Sequence, residues 1–217
     1  MTVLKFCGLN DPAGFDAAVS AGADMLGLVF FPPSPRHLSP EAAAALSARA
    51  PSSAEGGPLR VGLFVDATDD EIAAVLAALP LDILQLHGHE SSERCAAVRA
   101  RFGLPVMKAL GIAQAEDLEA LSAYAPVVDR FLLDAKAPPG SPIPGGNALS
   151  FDWSLLAGCT VPRPWLLAGG LTADNVASAI RATRSPGVDV SSGVEHARGQ
   201  KDPALIAAFA AAMRKAG

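Results

Sequence analysis

Leu167-Ala168-Gly169-Gly170-Leu171-Thr172 and, one repeat later, Val188-Asp189-Val190-Ser191-Ser192-Gly193-Val194-Glu195 are the stretches that decide the fold. Each is a short apolar run ending in small residues, where the backbone can approach a ligand closely and aim amide hydrogens at an anion. A glycine after a strand is usually just a turn. Two such endings in succession late in the chain match the phosphate site that closed barrels of parallel strands form from the loops after strands seven and eight. Gly169, Gly170, Ser191, Ser192 and Gly193 are therefore the expected phosphate cradle.

Working outward from that pair, short apolar runs alternate with alanine-rich helical stretches along the whole chain, the pattern of parallel strands joined by crossover helices. The runs lie at Val3 to Phe6, Met25 to Phe30, Leu59 to Val65, Ile83 to Leu86, Pro105 to Ala109, Arg130 to Leu133, Trp165 to Ala168 and Gly187 to Val190. Asp11-Pro12, Ser39-Pro40 and Asp202-Pro203 each set a capping side chain before a proline suited to the first helical position. Thr68 to Glu71 reads as a capping box. Ile72, Val75, Leu76 and Leu79 follow helical spacing, as do Leu205, Phe209 and Met213. The expected rhythm is strand, loop, helix, repeated eight times.

Eight parallel strands can close or stay open as a doubly wound sheet. No Gly-x-Gly-x-x-Gly turn follows the first strand, and the glycine-rich turns fall after strands seven and eight instead. The reading is α/β, a single (β/α)8 TIM barrel spanning residues 1–217. Pro51 to Pro58 reads as a surface loop. Ala135 to Ser150, rich in proline and glycine, follows strand six on the face where barrels build active sites and is a candidate lid.

Composition narrows the function classes. Of 217 residues, half are hydrophobic and 18% charged, which suits strands covered on both faces and excludes a disordered chain. The net charge of -5 and the lack of a basic stripe argue against a nucleic-acid surface. No apolar run reaches the roughly 20 residues of a membrane span and no signal-peptide core is evident, so a cytoplasmic protein without membrane association is expected. Cys7, Cys95 and Cys159 are too scattered for a disulfide framework or a spaced metal site, and no cluster of histidines suggests a metal. Cys95 and Cys159 fall on expected helices as packing residues, and Trp153 and Trp165 are expected between helices and barrel.

Catalytic side chains in a barrel come from the C-terminal strand ends, where this sequence offers Cys7, Arg36, Asp66, His87, Lys108 and Asp134. Free cysteine is commonly a small buried hydrophobe, so a functional Cys7 needs a partner. Asp134 is a candidate: it ends the run Phe131-Leu132-Leu133, where a carboxylate costs solvation unless it acts or caps. Arg36 reads either as a fork for a carboxylate or as a surface arginine. His87 suits an acid, a base or a satisfied structural histidine. Asp66 and Lys108 read as ligand contacts or as ion partners at strand ends.

These residues coincide with a known family. Lys5 to Leu9, Ser34-Pro35-Arg36, Val61 to Phe64, Leu84-Gln85-Leu86-His87-Gly88, Phe131 to Asp134, Phe151-Asp152-Trp153, Leu167 to Leu171 and Val188 to Glu195 together resemble phosphoribosylanthranilate isomerases, nearly end to end. The resemblance implies an Amadori rearrangement of N-(5-phosphoribosyl)anthranilate in tryptophan biosynthesis, without a cofactor or metal, in a monomer or homodimer. It also implies that Cys7 is the general base, that Asp134 is the general acid, and that Arg36 holds the anthranilate. His87 is expected to contact the substrate.

The sequence departs from the family after strand six. A Gly-Gly-Thr/Ser-Gly turn is usual there, whereas this chain reads Gly145-Gly146-Asn147-Ala148. The related isomerase of histidine biosynthesis would be expected to carry an aspartate in place of Cys7. A silent phosphate-binding barrel would have no need of both Cys7 and Asp134.

Overall fold

The computed structural model describes residues 2–138, 140–141, 143–146 and 150–215. Eight parallel strands close on themselves in sequence order: β1 (Val3–Cys7), β2 (Met25–Val29), β3 (Leu59–Phe64), β4 (Ile83–Leu86), β5 (Val106–Ile112), β6 (Arg130–Ala135), β7 (Trp165–Leu167) and β8 (Gly187–Val190). β8 pairs back onto β1 from Val3↔Gly187 to Phe6↔Val190, so the sheet has no free edge.

The helices are α1 (Pro12–Ser20), α2 (Pro40–Ser47), α3 (Asp69–Ala78), α4 (Ser92–Phe102), α5 (Ala120–Tyr124), α6 (Val176–Thr183) and α7 (Pro203–Arg214). Their starts follow the sequence signals. Asp11, Ser39 and Asp202 accept from first-turn amides ahead of prolines, and Thr68 and Glu71 form the reciprocal capping box.

Period-two alternation divides each strand between two environments. Outward residues such as Leu4, Phe6, Leu26 and Phe131 join helix residues Phe15, Ile72, Val98 and Phe209 in one apolar shell, with the Phe6 and Phe209 rings 6.1 Å apart. Inward residues plug the barrel. Met25, Val61, Ile83, Met107, Leu132 and Leu166 form a lower layer, and Cys7, Val29 and Leu63 form a smaller one toward the mouth.

The structure revises several expectations. No α-helix is described between β6 and β7, only a 3₁₀ turn at Trp153–Leu156, which ends where Ala157 turns extended and Gly158 takes φ +79°. Cys159 lies just past that turn and is not helical, whereas Cys95 is buried on α4. Leu205 is 37% exposed, and α7 instead buries Ile206, Phe209, Ala210 and Met213. β5 runs to Ile112, three residues beyond the expected end, and β6 carries Asp134 within the strand.

The segment from Pro51 to Pro58 is also more than surface. Arg60, buried on β3, donates to the carbonyls of Ala50, Pro51 and Pro58 and ties the loop down. Trp153 and Trp165 pack against the outer apolar shell as expected.

Candidate active site

The C-terminal mouth of the barrel opens into a cavity of about 750 Å³, counting its open entrance. Cys7, Arg36, His87, Asp134, Gly169, Gly170, Ser191, Ser192 and Gly193 all line it. The sequence candidates thus meet in one place. Asp66 and Lys108 do not. Asp66 lies with His89 on a neighbouring cavity, and Lys108 points away from the barrel axis to pair with buried Glu90 at 2.7 Å.

One wall is backbone. Gly169 and Gly170 take φ +88° and +59°, a left-handed path that turns the chain sharply after β7. Their amides meet no acceptor among the described residues. Gly193 sits against the carbonyl of Leu171, where a Cβ would fall 1.8 Å from the oxygen. The chain packs this tightly only with hydrogen at that position. Ser191 and Ser192 complete the wall at the end of β8, and the whole is a surface of small residues and unpaired amide donors suited to an anion.

The strands on either side of that wall, β1 and β6, bring a thiol and a carboxylate. Cys7 ends β1 and is buried, with Gly27 opposite it on β2, where a Cβ would stand 2.9 Å from Sγ. Asp134 reaches in from β6, and its Oδ1 accepts from the amide of Ala135 at 2.8 Å. His87 Nε2 stands 3.4 Å from Asp134 Oδ2, and Gln85 Nε2 is 3.1 Å from the other ring nitrogen. Gly145 closes over this pair so tightly that a Cβ would meet Asp134 Oδ2 at 2.6 Å and His87 Nε2 at 2.9 Å. The described part of the expected lid therefore packs over Asp134 and His87. The departure at Asn147-Ala148 lies outside the described residues.

Arg36 crosses beneath the mouth. Gly8, at φ +71°, leaves room for it, since a Cβ there would be 2.4 Å from Arg36 Cδ. Its Nε and Nη2 fork onto Glu195 at 2.7 and 2.9 Å, and Nη1 lies beside Gly146. The fork-on-carboxylate reading of Arg36 is realised within the protein, which fixes the guanidinium at the cavity wall.

Several residues of the site escaped the sequence reading. Lys5 is fully buried and pairs with Asp189 at 2.8 Å, its register partner on β8. Lys201, on the hairpin of β9 (Glu195–Ala197) and β10 (Gln200–Lys201), donates to Glu195 at 2.7 Å and to the carbonyl and hydroxyl of Ser191. The available signal was a charge at an inward position of an apolar strand, the argument already applied to Asp134. It applies equally to Lys5 and Asp189.

These charges set the local electrostatics. Burial pushes the Cys7 thiol up from its ordinary value; the Lys5 ammonium opposes this, the Asp189 carboxylate adds to it, and Lys201 opposes it more weakly. Burial also works against charged Lys5, but Asp189 and the Cys7 thiol outweigh it and the net effect is upward. Lys201 goes down, because desolvation exceeds the support of Glu195. Burial alone would raise Glu195, yet the Arg36 and Lys201 hydrogen bonds and charges bring it to about 2. The positive charges nearest the thiol are Lys5 on β1 and Lys201 on the last hairpin, partly offset by Asp189.

The family model described as N-(5'-phosphoribosyl)anthranilate (PRA) isomerase matches residues 4–212. The chain belongs to the phosphoribosylanthranilate isomerase family. It is 58% identical to the N-(5'-phosphoribosyl)anthranilate isomerase of Rhodospirillum rubrum over 99% of this chain and 98% of that protein. The enzyme of Paracoccus denitrificans is 57% identical over 96% and 95% of the two chains. Among solved structures, the phosphoribosylanthranilate isomerase of Thermotoga maritima superposes with a TM-score of 0.85 at 38% identity, covering 99% of this chain and all of the other. A phosphoribosylanthranilate isomerase in complex with reduced 1-(o-carboxyphenylamino)-1-deoxyribulose 5-phosphate gives 0.84 at 35% identity, with the same coverage. Among the described residues no helix is long and apolar enough to cross a membrane.

Proposed function

We propose that this chain is a phosphoribosylanthranilate isomerase that converts N-(5-phosphoribosyl)anthranilate to 1-(2-carboxyphenylamino)-1-deoxyribulose 5-phosphate, with Asp134 as general acid and Cys7 as general base. The carrying observation is one cavity in which the glycine and serine loops after β7 and β8 lie between a carboxylate on β6 and a thiol on β1. The phosphate lies on the amides of Gly169, Gly170, Ser192 and Gly193, with Ser191 beside them. Arg36, braced by Glu195, faces the anthranilate carboxylate, and His87 adds a polar contact beside Asp134.

The substrate is a closed sugar, so the first task is to break its C1–O bond. Asp134 gives a proton to the ring oxygen, the bonding electrons go to that oxygen, and the anthranilate nitrogen forms a protonated Schiff base with C1. Cys7 then takes the proton from C2, producing the enolamine, which becomes the ketone as C1 gains a proton from the Cys7 thiol and the C2 hydroxyl gives its proton to the Asp134 carboxylate, restoring both groups. Burial and the Asp189 carboxylate keep the thiol protonated in the free protein; the Schiff-base cation then adds to the Lys5 and Lys201 charges, and the thiol releases its proton to solvent at the cavity entrance just when a base is required. A reducing, cytoplasmic setting suits this use of a thiol. Every group named lies on one chain, so the chemistry is the same in a monomer or a homodimer.

The test follows the fluorescence loss of phosphoribosylanthranilate generated in situ. The unaltered protein consumes it, while Cys7→Ala and Asp134→Asn each lower kcat by about 100-fold or more with KM little changed. Failure of the folded, unaltered protein to consume the substrate overturns the assignment. Near-normal single-turnover rates in either variant overturn that residue's role.

A further inference from the structure

We infer that Gln85 is a positioning residue that fixes which nitrogen of His87 carries the proton, and so makes His87 a hydrogen-bond donor to the Asp134 carboxylate. The inference rests on the isomerase reading for its catalytic half and on geometry alone for the rest. Gln85 lies inward on β4, is fully buried, and approaches only one of the two ring nitrogens, with Nε2 3.1 Å from His87 Nδ1. Its Oε1 is buried and meets no donor among the described residues.

A carboxamide presents a donor and an acceptor of nearly equal shape at the same end, so its orientation must be argued from its neighbours. With the amide N–H facing Nδ1, that nitrogen supplies the lone pair and a neutral imidazole holds its hydrogen on Nε2. The hydrogen then points toward Asp134 Oδ2, 3.4 Å away. Once Asp134 is ionised, the reversed amide would put hydrogen on Nδ1 and leave Nε2 facing a carboxylate oxygen lone pair to lone pair. It would also bury an amide NH2 where the unpartnered oxygen now lies, leaving donors rather than one acceptor unsatisfied. An imidazolium would set a second N–H against the amide N–H. The amide N–H toward Nδ1 is therefore the orientation that serves both neighbours once Asp134 is ionised.

This arrangement has a use after the first step of the reaction. Once Asp134 has passed its proton to the ring oxygen, its Oδ1 keeps the Ala135 amide and its Oδ2 becomes an acceptor for His87 Nε2–H. His87 gives up no proton; it steadies the charge that the acid acquires. The separation of 3.4 Å shortens as the charge develops, as catalytic hydrogen bonds commonly do between the free and reacting states. Gly145, packed over both groups, keeps water from competing for the same position.

The experiment labels histidine with ¹⁵N and records long-range ¹H–¹⁵N correlations of the free protein at alkaline pH, where imidazole is neutral. His87 is assigned by the signal lost in His87→Gln. The expected spectrum shows a bare Nδ1 and a protonated Nε2. Gln85→Glu keeps the shape but offers only acceptors, so it moves the hydrogen to Nδ1. Gln85→Met keeps the volume and removes the handle, giving a mixture of tautomers. Both variants lower kcat about 10- to 100-fold with KM changed less than about threefold.

If the glutamate variant does not fold, the methionine variant and the unaltered spectrum still decide. A protonated Nδ1 in the unaltered protein overturns the inference even if the enzyme is active. So does a Gln85→Glu protein with a switched tautomer and undiminished kcat. An inactive unaltered protein with the expected spectrum instead overturns the isomerase reading, and with it the catalytic half of the proposal.

Discussion

Glu195→Gln removes the carboxylate that braces both Arg36 and Lys201 beneath the cavity. In the fold those two cations hold Glu195 at about 2, against 4.5 for the free side chain. A carboxylate depressed on folding contributes stability that is fully present above the unfolded value and is lost as the pH falls through the folded one. The window here runs from about 4.5 down to about 2. A drop of about 2.5 at 1.36 kcal/mol each is about 3 kcal/mol, and solvent screening at the open mouth reduces the expectation to about 2 kcal/mol. Glutamine is neutral at every pH. At neutral pH the variant therefore loses about 2 kcal/mol beyond any packing cost, and the gap to the unaltered protein closes as the solution is acidified through that window. Urea unfolding followed by far-UV circular dichroism across the acid range, with the two proteins side by side, measures the gap. A difference that stays constant with pH would refute the reasoning, because it would mean that Glu195 gains nothing from its partners.

Because burial pushes the Cys7 thiol up, kcat/KM measured by stopped-flow fluorescence rises with pH through and above neutrality; a profile already flat in mildly acidic buffer would rule out a buried thiol base. Gly193→Ala drives a methyl group into the Leu171 carbonyl, so the phosphate wall opens and affinity for a product analogue falls at least about tenfold by titration calorimetry. Unchanged affinity would mean that this loop does not hold the phosphate. Lys108→Met strands the buried Glu90 carboxylate and costs about 3–5 kcal/mol, a fall of about 10 °C in thermal midpoint. Adding Glu90→Gln recovers part of that loss, and no recovery would show that packing rather than charge was at stake.

Much of this protein is legible without coordinates, for reasons that can be named residue by residue. Helix starts at Asp11, Ser39, Thr68 and Asp202 are local events, each a side chain satisfying amides two or three residues away. The strands are apolar runs between such caps, and a chain of alternating strands and helices has few ways to bury them all. Cys7, His87, Asp134 and the two glycine and serine endings are visible because each sits at a strand terminus, a position already defined by the pattern. Where the pattern is weak the reading fails: between β6 and β7 it expects a helix where the described residues form only a short 3₁₀ turn that ends at Ala157.

Partnerships are a different matter. Lys5 meets Asp189 across 184 positions and Arg36 meets Glu195 across 159, separations that only barrel closure brings to hydrogen-bond distance. Nothing local distinguishes Lys108, turned outward to Glu90, from Lys5, turned inward toward the thiol, since a shift of one residue in strand register exchanges the two faces. The sequence alone determined that the chain is a barrel, where its mouth lies and which residue types are available there. The tertiary structure decided which of those residues share a cavity and which charges act on them. Periodicity and capping are short-range physics, whereas electrostatics and hydrogen bonding depend on distances that exist only once the first strand has met the last.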